Sequence, residues 1–232
     1  MSDAHKTLTP RAIVQVLFFV VVVPFLPLLI SWRWGWWQAW VYGIVCIVGF
    51  AVSRSLAARR DPGLIAERAR MLRHEDAAPW DKVLAPLVGL GGGLIPLVAG
   101  LDARFGWSPG VALPVEITSL LAIFAGYALS AWALVENPFF SGMVRIQKER
   151  DHHVVSSGPY AWVRHPGYAG ALLTYVATPL FLDSMWAFVP VAFLASVLVI
   201  RTGLEDQTLQ AQLAGYQDYA RRVHRRLVPG IW

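Results

Sequence analysis

Charge is scarce in this sequence. Only 15% of its 232 residues are Asp, Glu, Lys or Arg, against roughly 25% in an ordinary soluble domain. With 56% hydrophobic residues and a mean hydropathy of +0.49, that deficit excludes a water-soluble globule. Cysteine is nearly absent. Cys46 stands alone in an apolar run, so there is no intrachain disulfide and no C-x-x-C metal or redox motif, and it reads as a small buried hydrophobe. Acidic residues are the rarer sign, leaving a net charge of +5. In a soluble protein that excess would raise nucleic-acid binding. Here the basic residues flank apolar spans, and no aromatic-basic array lies in a polar segment, so no nucleic-acid partner is expected. No metal is expected either: His152-His153 are adjacent on a loop, point apart and have no third ligand near. Ser156-Ser157 lacks a base partner at triad-like positions.

What the sequence does have is long apolar runs. Charge-free stretches fall at Ala12–Ile30, Trp34–Ser53, Val83–Leu101, Ile117–Val135, Pro166–Leu182 and Ser184–Ile200. The first four match a bilayer core of about 30 Å at 1.5 Å per residue. The last two are shorter and separated only by Asp183. A helical hairpin turning at Leu182-Asp183-Ser184 accommodates them better than one over-long helix. The first run follows Lys6 and Arg11, has no small-residue cleavage site, and reads as a retained signal-anchor. The reading is therefore an all-α integral membrane protein of about six transmembrane helices. It has a C-terminal helical hairpin and a cytoplasmic amphipathic C-terminal helix. Residues 1–135 supply the first four spans, and residues 136–232 hold the hairpin, the tail and the polar boundary between them.

Orientation follows from the cations. With six spans, eighteen of the twenty Lys and Arg fall on one side, Arg33 and Arg104 being the exceptions. That places both termini in the cytoplasm, in a protein read as multi-pass in a bacterial inner membrane. The segment Arg54–Asp81 mixes basic and acidic residues and reads either as an amphipathic helix on the anionic leaflet or as a substrate gate. Gly91-Gly92-Gly93 allows either a kink or a close helix approach.

Polar chemistry concentrates at one boundary. Glu136-Asn137-Pro138 and Arg145-Ile146-Gln147-Lys148 lead to Gly158-Pro159-Tyr160-Ala161-Trp162-Val163-Arg164-His165-Pro166-Gly167-Tyr168-Ala169-Gly170 at the mouth of the fifth span. The last span returns to the same interface with Arg201, Glu205 and Asp206. Residues about 40 apart then become neighbours, and Tyr168 and Glu205 face one cavity with Arg164 and Arg201 nearby. Polar groups held at a membrane boundary are costly unless they are used. Leu209, Leu213, Tyr216, Tyr219, Val223 and Leu227 recur at helical steps, so the tail either caps that cavity or anchors on the surface.

The pattern Gly158-Pro159-Tyr160-x-x-Val163-Arg164-His165-Pro166-x-Tyr168-x-Gly170 is followed by Glu205-Asp206-x-x-Leu209, Gly215-Tyr216-x-x-Tyr219 and a closing Pro229. In that order it resembles the isoprenylcysteine carboxyl methyltransferase family, which is related to membrane phospholipid N-methyltransferases. The resemblance covers roughly Glu136–Trp232 and departs from the family in pairing Glu205 with Asp206 instead of a second glutamate. It implies a methyltransferase using S-adenosylmethionine, with S-adenosylhomocysteine as product. Carboxyl O-methylation of a lipid-like or prenylated acceptor is the implied reaction. It also implies that Gln147, Gly158, Pro159, Tyr160, Val163, Arg164, His165, Pro166, Tyr168, Gly170, Glu205 and Asp206 line the cofactor. Arg164, Arg201 and Glu205 are the implied catalytic groups, with Arg201 near a substrate carboxylate. The alternatives are amine N-methylation of a phospholipid, an NADPH-dependent reductase of sterol type, and a lipid-binding scaffold without catalysis.

Overall fold

The computed structural model describes residues 17–69, 76–228, 230 and 232. Lys6, Arg11, Arg70, Arg73 and Pro229 lie outside the described residues. Helices are the regular structure of the described residues, and no strand occurs among them. The helices are α1 (Leu26–Ser31), α2 (Trp37–Arg60), α3 (Pro62–Ala69), α4 (Asp81–Gly91), α5 (Leu94–Phe105), α6 (Leu113–Glu136), α7 (Pro166–Phe181), α8 (Phe188–Gln212) and α9 (Tyr216–Arg222). Four helical stretches are long and apolar enough to cross a membrane: Trp37–Arg60, Asp81–Phe105, Leu113–Glu136 and Phe188–Gln212.

Proline and glycine set the breaks. Pro24 and Pro27 lack the amide donor an α-helix needs, and the chain there passes from a π turn (Phe18–Val22) through a 3-10 turn (Val23–Phe25) into α1. Asp61-Pro62 ends α2, and Pro166 opens α7 at its favoured first-turn position. The triple glycine does both of the things open to it. The helix breaks at Gly92-Gly93, and Gly91 packs so close to α8 that a Cβ there would lie 2.5 Å from Leu194 Cδ2.

Small residues also let α6 and α7 approach. Gly126 and Ser130 of α6 face Gly170 and Thr174 of α7, and a Cβ on Gly170 would lie 2.5 Å from Gly126 O. The apolar core beneath them runs from Leu28 and Ala39 through Ile95 and Ile123 to Phe181 and Leu194.

One end of the bundle carries an acidic set. Asp183 accepts from Gln38 Nε2 (3.2 Å) and from the Val111 N–H (2.8 Å), and Asp102 accepts from Ser184 Oγ (2.6 Å). Arg104 donates to Ile30 O at the same end (2.9 Å). The long helices reach further than the apolar runs at the opposite end, where α8 continues one residue turn after another past Ile200 to Gln212. The expected tail helix does not form as one piece. Gly215, at φ +80°, turns the chain between α8 and α9.

Candidate active site

The site lies where α7 begins and α8 ends. Gly158 starts it. At φ +55° it needs glycine, and a Cβ there would also lie 2.9 Å from Glu136 Cγ. The turn it permits carries Pro159 and Tyr160 into the interior and presents Arg164 and His165 at the start of α7.

Asp206 is the centre of this assembly and is wholly buried. Arg164 grips it bidentately, Nε to Oδ1 at 2.7 Å and Nη2 to Oδ2 at 2.8 Å. Arg226 Nε (2.9 Å), Gln210 Nε2 (2.8 Å) and the Tyr216 hydroxyl (3.0 Å) also donate to it. Three separate chain segments therefore meet on one carboxylate, each by charge-assisted or buried hydrogen bonds. Arg164 further donates Nη1 to Val223 O (2.7 Å), and the amides of Arg164 and His165 donate to Arg225 O (2.9 Å) and Arg226 O (3.0 Å). The tail is thus strapped across the Gly158–His165 turn, with Tyr219 donating its hydroxyl to Tyr160 O (2.7 Å). Burial raises the pKa of Tyr216 and Tyr219, so both hydroxyls keep their protons as donors. Of the two roles open to the tail, capping is the one the geometry takes.

A second buried ion pair holds the far wall. Arg201 donates Nε to Asp81 Oδ1 (2.7 Å) and Nη2 to Asp81 Oδ2 (2.9 Å), and Asp81 also accepts the Val144 N–H (2.6 Å). The Arg201 guanidinium lies 5.2 Å from the Tyr168 ring centre. Tyr168 donates its hydroxyl to Glu205 Oε2 at 2.6 Å. His165 stacks parallel to Tyr168, and its Nε2 is buried without a hydrogen bond, 3.5 Å from Asp206 Oδ1.

These groups surround a pocket with about 790 Å³ of atom-free space, its open mouth included. Tyr160, Arg164, His165, Tyr168, Arg201 and Glu205 line it, joined by Leu209, Leu213, Tyr216 and Tyr219 from the tail side. The remaining sequence-derived residues stand behind the wall. Gln147 is fully buried and braces the loop, donating Nε2 to Phe139 O (2.8 Å) and accepting from Arg150 (2.9 Å). Gly158, Pro159, Val163 and Pro166 shape the turn, Gly170 packs on α6, and Asp206 is consumed by its ion network. None of these six, nor Gln147, lines the pocket.

The segment Arg54–Asp81 is neither a free surface helix nor separate from the site. Leu64 is buried, and Glu67 (3.0 Å), Asp76 (2.7 Å) and Glu149 all pair with Arg145, a pocket-lining residue. Burial opposes the charge on Arg145, but those three carboxylates outweigh it and hold its pKa above the ordinary value. Arg150 pairs with Asp61 (2.8 Å). The two adjacent histidines do not point apart. His152 stacks on the face of Phe139 and His153 meets its edge. Burial first, then His153, Arg145 and Arg150, lower the His152 pKa to about 4, and its Nδ1 accepts the Gln147 N–H (3.3 Å). Among the described residues no group of three or more His, Cys, Asp or Glu could hold a metal.

Asp81 is the functional-site residue that sequence reasoning missed. It was counted with the acids of a polar segment, yet it opens an apolar helix, a place where a buried carboxylate needs a partner.

Fold and site together define a polytopic helical membrane protein that encloses a polar, tail-capped pocket at one end of its bundle. Residues 118–211 match the model of the isoprenylcysteine carboxyl methyltransferase family. A rice chain (Oryza sativa subsp. indica) named "Probable protein-S-isoprenylcysteine O-methyltransferase" is 30% identical over 122 residues, 49% of this chain and 61% of the relative. The Saccharomyces cerevisiae protein-S-isoprenylcysteine O-methyltransferase is 33% identical over 78 residues, 34% of this chain and 33% of the relative. A Mus musculus Delta(14)-sterol reductase is 29% identical over 99 residues, 41% of this chain and 24% of the relative. The chain thus spans 61% or less of the length of these relatives.

Proposed function

We propose that this chain is an integral-membrane, S-adenosylmethionine-dependent methyltransferase that O-methylates the carboxylate of a lipid-like or prenylated acceptor. The observation that carries the reading is the pocket closed by Tyr168–Glu205 and Arg201–Asp81, with the tail as its lid.

The donor set fits that cofactor. The His165 ring lines the pocket, while its Nε2 faces the Asp206 carboxylate behind the wall at 3.5 Å. Glu205 offers acceptor oxygens for an ammonium or for ribose hydroxyls, and Tyr160, Tyr216 and Tyr219 offer ring faces to a nucleoside. The cofactor supplies an electrophilic methyl group on a sulfonium. The protein's share is alignment and dryness. Arg201, held by Asp81, presents a fixed cation to a substrate carboxylate, which is already ionised and needs no general base. Tyr168 fixes the rotamer of Glu205. Arg164, its nitrogens engaged by Asp206 and Val223 O, acts as a positioning residue that holds the lid.

The membrane arrangement that goes with this reading has six crossings, with residues 166–182 and 184–200 as a hairpin and both termini in the cytoplasm of a bacterial cell. A reporter fused after Trp232 should then read cytoplasmic, and a periplasmic signal overturns the count. Residues 1–135 would shape the acceptor site and 136–232 the cofactor site.

The sterol reductase relative is the observation behind a second reading, an NADPH-dependent reductase on the same scaffold. Calorimetry on detergent-purified protein separates the two. Micromolar binding of S-adenosylhomocysteine with none of NADPH is expected, and the reverse result replaces the first reading with the second.

A further inference from the structure

Capping uses only one face of the tail. Tyr216 and Tyr219 point inward and are buried, and Arg226 gives its Nε to Asp206. The outward face is basic. Arg221, Arg222, His224 and Arg225 are all exposed. Between Tyr216 and Val228 the one acid is Asp218, 3.3 Å from Arg221. Both side chains of that pair are 75% exposed, so water and salt leave little of their attraction. Arg222 and Arg225 have no carboxylate partner among the described residues.

Two tryptophans mark the depth of this face. Trp132 lies one turn before the end of α6, a helix long and apolar enough to cross a membrane. It meets Trp162 edge to face, ring centres 5.6 Å apart, and both rings are exposed. Exposed indoles at the end of a membrane helix sit at the level of the lipid headgroups. The strap crosses just beyond them. The Arg164 N–H donates to Arg225 O and the His165 N–H to Arg226 O. Arg225 is therefore pinned beside a point at most roughly 7 Å along the backbone from Trp162. That is within the roughly 8–10 Å over which a charge is felt at physiological ionic strength.

We propose that the outer face of the tail, through Arg221, Arg222 and Arg225, binds the anionic phospholipid headgroups of the leaflet at the pocket end. The cap is then held from two sides, by Asp206 within and by the membrane surface without. Basic segments beside a membrane helix are drawn to anionic lipid by the same attraction. In a neutral leaflet the strap keeps only its inner bonds and opens more often. Anionic lipid thus regulates closure of the pocket. The hold on the strap does not depend on the methyltransferase reading, whereas its effect on the cofactor rests on it.

The test uses the full chain in nanodiscs of phosphatidylcholine and of phosphatidylcholine mixed with phosphatidylglycerol. Hydrogen exchange at the Arg164 and His165 amides, which donate to the strap, reads how often it opens. Their protection should be about tenfold higher in the anionic discs, about 1.4 kcal/mol, and high salt should erase the difference. With Arg221→Gln, Arg222→Gln and Arg225→Gln combined, that gain should vanish, while protection in neutral discs stays at the wild-type level. No gain in wild type, or an equal gain in the variant, overturns the proposal. So does a variant already less protected in neutral discs, because the cations then act within the fold. Inorganic phosphate added to neutral discs should change nothing; if it reproduces the gain, the partner is a soluble anion and the leaflet is excluded. S-adenosylhomocysteine affinity in the same discs should rise with protection. Should the amides respond while S-adenosylhomocysteine binds in neither disc, the methyltransferase reading falls and the lipid contact stands.

Discussion

At the scale of single residues, the site is built from buried charges that are affordable only in pairs. Removing one partner leaves the other desolvated, which costs about 3–5 kcal/mol in comparable cases. Asp81→Asn should therefore lower the melting temperature in detergent and loosen Arg201, and a variant that melts like wild type shows that the pair carries no weight. Tyr168→Phe removes one hydrogen bond to Glu205, and about 1.5–3 kcal/mol is usual for a bond to a charged group. S-adenosylhomocysteine affinity should fall about tenfold or more, and Glu205→Gln should fall with it. His152 gives a pH signature. Its pKa is about 4 in the fold and roughly 6.5 in an unfolded chain, so the unfolded state takes up the proton first. Stability should be flat above pH 6.5 and decline as pH falls toward 4. His152→Asn should flatten that decline, measured as Tm against pH. These residues differ in how legible they were. Arg164, Tyr168 and Glu205 sit in a dense motif, and their meeting follows from a chain that leaves and returns to one interface. Asp81 pairs with a residue 120 positions away. Its place at the start of an apolar helix is the local sign, and the partner is too distant in sequence to be read from it.

At the scale of elements, apolar runs located the helices but not their ends. The runs at Val83–Leu101 and Ile117–Val135 became Asp81–Phe105 and Leu113–Glu136. A helix continues past the hydrocarbon wherever its polar residues find partners, and hydropathy does not register that. The tail was read as one amphipathic helix from Leu209 to Leu227, yet the spacing of its apolar residues hid the turn at Gly215. Gly170, read as a cofactor residue, permits α7 to lie against α6, a role that motif spacing does not distinguish from ligand contact. Gly170→Val places carbon where Gly126 O and Ser130 now sit, so overpacking should cost about 1–3 kcal/mol. A melting curve shows it, and unchanged stability means the helices can part at no cost.

At the scale of the whole molecule, the membrane bundle holds the site while the polar segments close it. The all-helical, membrane-spanning class was legible from composition alone, because so little charge in so much apolar chain has few other solutions. The role of residues 54–81 was not, since their acids look solvated until Arg145 is brought beside them. Ending the chain after Gln212 should separate the two layers. The truncated protein should still insert and melt cooperatively, but S-adenosylhomocysteine affinity should fall by about 100-fold, roughly 2.7 kcal/mol. Retained affinity would make the tail an ornament.

The carboxylate that gathers Arg164, Gln210, Tyr216 and Arg226 gives this chain an order of completion. While the polypeptide is still emerging from the ribosome, its membrane helices can already be inserted, but Tyr216 and Arg226 come after them. Until they do, the pocket has no roof. A copy cut short before Tyr216 therefore carries the walls of the pocket without its cap.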